Sequence, residues 1–245
     1  MHGTRSGLFV FGLLAASCGG GDPPPNTPAT TPSSTATAVT ADADGGTAAA
    51  TPTPPTADGA WPFHAQSDAD KAAGLERVKK EPNAPIKSNW TPPGQSDRFG
   101  HAEGLISAPV DKVRAKLTDF AHYNELAGPK FKSVKVVDKQ GASTDVYFQL
   151  PIMKGAITIW YVTRFAPLRS VTGGDVIDGT FVKGNIKGMH LTFTVRPGPD
   201  ANNSVMVCDL LLQPSVPAPQ SALDEELRDA CGDAINSLKK TVANP

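Results

Sequence analysis

The sequence predicts an α+β protein in which an antiparallel sheet carries its helices on one side. Three observations predict it. After a first strand and a helical stretch, about six strand-like segments follow one another with Gly- or Pro-rich turns between them. The chain then closes on about 20 residues whose apolar positions recur at helical spacing. Residues 96–245, which hold all of this, are near neutral in charge and numerous enough for a proper core.

Each element follows from its local pattern. Phe99 to Ser107 reads as a strand, and Ala108-Pro109 leads into a helical stretch from Val110 to Phe120, with Val113, Leu117 and Phe120 on one stripe. Phe131 to Lys139 alternates through Val134 and Val136 and turns at Gln140-Gly141. Asp145 to Leu150 and Ala156 to Phe165 form a hairpin across 151–155. Val171 to Val182, Lys187 to Arg196 and Ser204 to Gln213 supply three further strands, separated by turns at 183–186 and 197–203. Leu223, Leu227, Ala230, Cys231, Ala234, Leu238 and Val242 then line one broad face of a helix from Ala222 to Val242.

The residues before this domain have a different character. Residues 61–95 read as an extended segment with one short helix, in which Ser67 caps a run with acids in its first turn and lysines in its last. That helix is expected to lie on the main domain. Residues 19–60 hold 8 Pro, 10 Thr and 10 Ala and no aromatic residue, so nothing offsets the entropy of ordering them. They read as a disordered tether with an end-to-end distance of about 35 Å. Ahead of it, Arg5 precedes an apolar run from Leu8 to Ala16, too short to span a bilayer, followed by Ala15-Ala16-Ser17 and Cys18-Gly19-Gly20-Gly21.

Composition excludes several classes. A net charge of −1 and a pI near 6.5 argue against a nucleic-acid binder. No apolar stretch is long enough for an ordinary spanning helix. No nucleophile elbow, His-Glu-x-x-His, Cys-x-x-Cys, P-loop or Gly-x-Gly-x-x-Gly occurs, and His2, His64, His101, His122 and His190 are scattered. No catalytic residue, metal site or cofactor is therefore assigned. Lys130, Lys132, Lys135 and Lys139 form a modest basic edge, read as edge-strand protection before a headgroup site.

Residues 1–18 resemble a bacterial lipoprotein signal, with Cys18 as the residue that becomes lipidated. Ala15 stands where the family usually has leucine, and Gly19 is not the aspartate that tends to hold such proteins at the inner membrane. The resemblance implies export and a lipid anchor at the outer membrane, with a secreted soluble protein as the alternative. Residues 105–123, Leu-Ile-Ser-Ala-Pro-Val-Asp-Lys-Val-Arg-Ala-Lys-Leu-Thr-Asp-Phe-Ala-His-Tyr, resemble the opening of the START-like (SRPBCC) superfamily of polyketide cyclases, quinone-binding proteins and lipid-transfer domains. The order and spacing of elements agree with it over 96–245.

That second resemblance implies a helix-grip fold, a curved antiparallel sheet of about six or seven strands around the long C-terminal helix. It also implies a cavity between the two for an apolar ligand. The small residues Ala222, Ala230, Cys231 and Ala234 on the last helix leave room for one. His101 and Glu103, two apart on the first strand, with Tyr147, Tyr161 and Arg164 on neighbouring strands, are the candidate polar groups of that cavity, and Leu227, Cys231 and Ala234 its candidate helix lining. Cys208 and Cys231 fall on elements that pack together in this fold, either as a disulfide or as two buried thiols.

The expected function is a membrane-tethered, monomeric binding or carrier protein for a lipid, isoprenoid, quinone or polyketide-like molecule in the bacterial envelope. A cyclase or aromatase enzyme is one alternative. An envelope protein-interaction module with a closed cavity is the other. No nucleic-acid partner is expected.

Overall fold

The computed structural model describes residues 67–92, 96–152 and 157–243. The readings made on residues 1–60, Cys18 and the tether among them, lie outside the described residues.

Helix α1, Asp68–Lys80, begins with a capping box. The Ser67 hydroxyl accepts from the Asp70 N–H at 3.1 Å, and the Asp70 carboxylate accepts from the Ser67 N–H at 3.3 Å. This is the short helix expected upstream of the domain. It is followed by β1 (Ile86–Trp90), β2 (Phe99–Ile106), α2 (Val110–Thr118), a 3-10 turn at Phe120–His122 and α3 (Tyr123–Ala127). Then come β3 (Ser133–Gln140), β4 (Ser143–Ile152), β5 (Ile157–Phe165), β6 (Arg169–Val171), β7 (Gly174–Gly184), β8 (Gly188–Pro197), β9 (Ser204–Gln213) and α4 (Gln220–Ala243).

All strand pairings are antiparallel, in the order β1-β2-β9-β8-β7-β5-β4-β3, with β6 paired to β7. Among the described residues the sheet has nine strands, against the six or seven expected. Two elements make the difference. Ile-Lys-Ser-Asn-Trp at 86–90 lacks strand alternation but pairs along β2, from Ile86 opposite Glu103 to Trp90 opposite Phe99. The strand expected over 171–182 is divided by a turn at Thr172-Gly173, where Gly173 adopts φ +87°, a conformation glycine takes without strain.

The period-two alternation of β2 assigns the two faces of the sheet. Gly100, Ala102, Gly104 and Ile106 point toward α4, and His101, Glu103 and Leu105 point away from it. A Cβ on Gly100 would stand 2.3 Å from the Leu227 carbonyl carbon, and one on Gly104 would stand 2.5 Å from Ile235 Cγ2. The helix therefore rests on the bare backbone of β2. This inner face joins Cys231, Ile235, Leu238 and Val242 of α4 to Ala102, Ile106, Met206, Cys208 and Phe193 of the sheet. On the outer face α1 packs Val78 and Leu75 against Val205, Val207, Ile86 and Leu105.

Replacing Gly100 with alanine should lower stability by about 1–3 kcal/mol or more, because backbone must shift to admit the methyl group. Gly141 has φ +60° and nothing within 4 Å of an added Cβ, so Gly141→Ala should cost only about 1 kcal/mol. Denaturation midpoints of the two variants check this. Equal losses would contradict the close contact.

Candidate functional site

The inner face beyond α4 is built around β4 and β5. Val146 lies opposite Thr163 and Phe148 opposite Tyr161, which puts Tyr161, Thr163 and Phe165 on one side of β5. Phe148 stacks on Tyr161 with ring centroids 5.3 Å apart, and Phe131 meets Phe148 at 5.6 Å. Phe120 and Tyr123 close the cluster against Phe165, at 5.1 and 5.2 Å. Further along the same face, Phe181, Leu191, Leu210, Leu212 and Ala234 pack on this core while remaining half-buried. The result is an apolar strip beside α4 that the helix does not fully cover.

Few polar atoms enter this space. The Tyr123 hydroxyl donates to the Leu117 carbonyl at 3.0 Å. The Tyr161 hydroxyl has no hydrogen bond among the described residues, and burial pushes its pKa well above the usual tyrosine value. Thr163 is fully buried and its Oγ1 has no hydrogen-bond partner among the described residues. Asp175, at the α2 end of the sheet, is already held by Arg114, whose Nε donates at 2.6 Å, and by the Ser170 hydroxyl at 2.7 Å.

The expected site residues divide between the two faces. Tyr161 and Cys231 are buried on the inner side, Ala234 is half-buried there, and Leu227 is buried with its backbone against Gly100. His101, Glu103, Tyr147 and Arg164 are on the outer side, which corrects their expected place in a cavity beside α4. The reason is strand alternation. Because Gly100, Ala102 and Gly104 must face the helix backbone, His101 and Glu103 cannot. Tyr147 stacks on Trp160 at 6.2 Å with Lys135 5.6 Å above its ring, and Arg164 forms a two-pronged ion pair with Asp145, both contacts at 2.8 Å.

Cys208 and Cys231 are both free, buried thiols, so the disulfide left open by the sequence is not formed. Cys231 donates to the Gly100 carbonyl at 3.3 Å, and burial followed by contact with Cys208 raises its pKa. In the 122–129 region, His122, Glu125 and Leu126 join Lys116, Asp119 and Thr241 around a dimple of about 10 Å³, room for one water. Among the described residues no group of His, Cys, Asp and Glu could hold a metal ion, and no helix is long and apolar enough to cross a membrane.

His101 and Glu103 instead belong to a buried charge network beneath α1. His101 Nδ1 lies 2.6 Å from Asp209 Oδ1, and its Nε2 lies 3.3 Å from Glu103 Oε1. Arg77 of α1 donates to Glu103 Oε2 at 3.3 Å. Arg196 of β8 approaches Glu103 only to 4.0 Å, and its two Nη atoms are buried without hydrogen-bond partners among the described residues. Gly74 allows this docking, because a Cβ there would stand 2.6 Å from Glu103 Oε2. Burial alone would depress the His101 pKa, but hydrogen bonds to Asp209 and Glu103 push it up to about 9. Burial also tends to raise Glu103, yet its bond to His101 and that residue's charge hold it below the usual value.

This arrangement is a START-like helix-grip fold with an apolar inner face. The comparisons with known proteins agree on the fold. No family model matches the chain, and no curated protein matches it. The STAR-related lipid transfer protein of Xanthomonas axonopodis, as a fragment, is similar at TM-score 0.54 and 12% identity over 66% of this chain and 100% of that one. Human StAR-related lipid transfer protein 5 is similar at TM-score 0.52 and 13% identity, over 72% of this chain and 98% of that one. A START superfamily protein from Mycobacterium smegmatis is similar at TM-score 0.50 and 13% identity, covering 59% and 97%. At these identities the likeness shows the fold alone.

The network sets a pH dependence. His101 titrates near 6.5 when unfolded and near 9 when folded, so its contribution is full below 6.5 and is lost as pH rises through 9. Glu103, lowered from 4.5, contributes above that value and loses its contribution as pH falls through its folded pKa. Stability should therefore peak between 4.5 and 6.5 and decline toward 9. His101→Gln should remove most of the alkaline decline, on the order of 3 kcal/mol. Thermal melts across pH check it, and an unchanged alkaline slope in the variant would refute the assignment.

Proposed function

We propose that this chain is a membrane-tethered binding or carrier protein for an apolar small molecule in the bacterial envelope. The observation that carries the reading is the inner face, where half-buried Phe181, Leu191, Leu210 and Leu212 lie beside an aromatic cluster. Its polar groups are sparse and neutral near β5. The candidate acid and base, His101 and Glu103, lie on the opposite face and are held in ion pairs, which favours binding over cyclase chemistry. The lipid-transfer proteins named above support the same direction by analogy of fold alone.

In this reading Cys18 carries the lipid anchor, residues 19–60 hold the domain away from the outer membrane, and the protein works as a monomer. The test is native mass spectrometry of the full chain purified from its own host. A co-purifying lipid, isoprenoid or quinone is expected. A chain that is empty and takes up no apolar ligand would refute carriage. Palmitate labelling tests the anchor separately: incorporation should disappear in Cys18→Ser, and labelling of that variant to the wild-type level would refute it.

A further inference from the structure

The outer face of the sheet is closed over a wider area than α1 covers. Lys71 Nζ donates to the Thr172 carbonyl at 3.3 Å, which sets the start of α1 at the turn between β6 and β7. From there the helix crosses to β2, with Gly74 over Glu103 and with Val78 and Leu75 on Val205, Val207, Ile86 and Leu105. Among the described residues, the packing contacts of α1 stop at the row of Glu103 and Val207. The same face continues through Asp178, Thr192, Asp209 and His101, in register across β7, β8, β9 and β2, and then through His190 and Phe99. Phe99 and Thr192 are 0% exposed, Asp209 1% and His190 4%. Neighbours within a sheet flank a side chain but do not cap it, because side chains stand out from the pleated plane. Another segment therefore caps this half of the face.

We propose that residues 61–66, Trp-Pro-Phe-His-Ala-Gln, are that segment, running back from the start of α1 across β7, β8, β9 and β2. The length suffices. Crossing from β7 to β2 takes three strand spacings, about 14 Å, and six extended residues reach about 20 Å. Pro62 biases Trp61 toward an extended backbone. The composition fits in the same order. His64 is the one ionisable residue of the six and stands nearer α1, on the side of Asp178 and Asp209. A carboxylate has room for several donors. An imidazole N–H can therefore join those of Arg169 and Thr192 on Asp178, or of His101 on Asp209. Trp61 and Phe63 lie further from α1 and reach Phe99 of β2 and Trp90, its partner on β1. Ala60 then leads away beside β1 and β2, so a pull on the chain upstream meets the sheet before it meets α1.

The experiment uses the full chain with Cys18→Ser. Nuclear Overhauser contacts from the rings of Trp61 and Phe63 to Phe99 or Trp90 are expected. Histidine labelling with diethyl pyrocarbonate, read at His190 by peptide mass spectrometry, tests the cover directly. His190 should react slowly in the unsubstituted segment. Trp61→Ser, Phe63→Ser and His64→Ser combined should raise its rate about tenfold or more while far-UV circular dichroism is retained. Thr51→Ser with Thr53→Ser, in the chain upstream, should leave the rate unchanged. Coil-like shifts across 61–66 with no ring contacts to the sheet would overturn the proposal without any variant of the segment. So would an unchanged His190 rate in the triple variant. Protection of His190 that is lost on diluting the unsubstituted chain would give the face to a second copy and overturn it as well. None of these readouts involves an apolar ligand, so carriage stands or falls separately.

Discussion

The rest of the structure depends on how closely α4 approaches β2. A helix normally stands off a sheet by the length of interposed side chains, but here Gly100 and Gly104 remove them, and the Leu227 backbone comes down to the strand. The helix lies against β1, β2 and β9 at one side of the sheet, and β7, β5, β4 and β3 lie on the other side of the strand order. The inner surface of those strands then has aromatic side chains facing it in place of helix. Phe181 of β7, Leu191 of β8 and Leu210 and Leu212 of β9 are the half-buried apolar residues of this inner face.

The same contact determines what lies outside. With glycine and alanine facing α4, the alternate residues of β2 present His101 and Glu103 to the outer face, where carboxylates and an imidazole would be poorly solvated under α1. The protein resolves this by pairing. His101 is shared between Asp209 and Glu103, and Glu103 is shared between His101 and Arg77. Gly74 lets α1 descend far enough for Arg77 to reach. Arg196 completes the group electrostatically, and its burial lowers its pKa. Because buried charges bind firmly only when all partners are present, α1 is held to the sheet by a specific network as well as by Val78 and Leu75.

Much of the element order is legible in the sequence, because strands with turn residues between them and a long amphipathic helix announce themselves locally. β1 is not, because Lys87, Ser88 and Asn89 have no alternating apolar pattern and the segment becomes a strand only by pairing with β2. The site divides in the same way. Tyr161, Leu227 and Cys231 are readable from strand and helix periodicity. His101 and Glu103 could have been placed on the outer face from the small residues Gly100, Ala102 and Gly104 between and beside them, a packing signal that outweighs the chemical suggestiveness of an acid next to a base. Arg77, Arg196 and Asp209 are brought together from three elements far apart in the chain, and no local pattern marks that. Thr163 is inconspicuous because threonine is ordinary in a strand. Only its burial among apolar neighbours makes it notable.

The central claim is that the two faces of this sheet have separate tasks, the inner one holding ligand and the outer one holding α1. The most direct measurement is an NMR map of side-chain shift changes on adding a lipid-like apolar probe to the Cys18→Ser chain. The account predicts large changes at Tyr161, Phe148, Leu210 and Cys231, with the ring signals of His101 and Trp160 unmoved. Changes concentrated at His101, Tyr147 and Trp160, with Tyr161 and Phe148 silent, would contradict it.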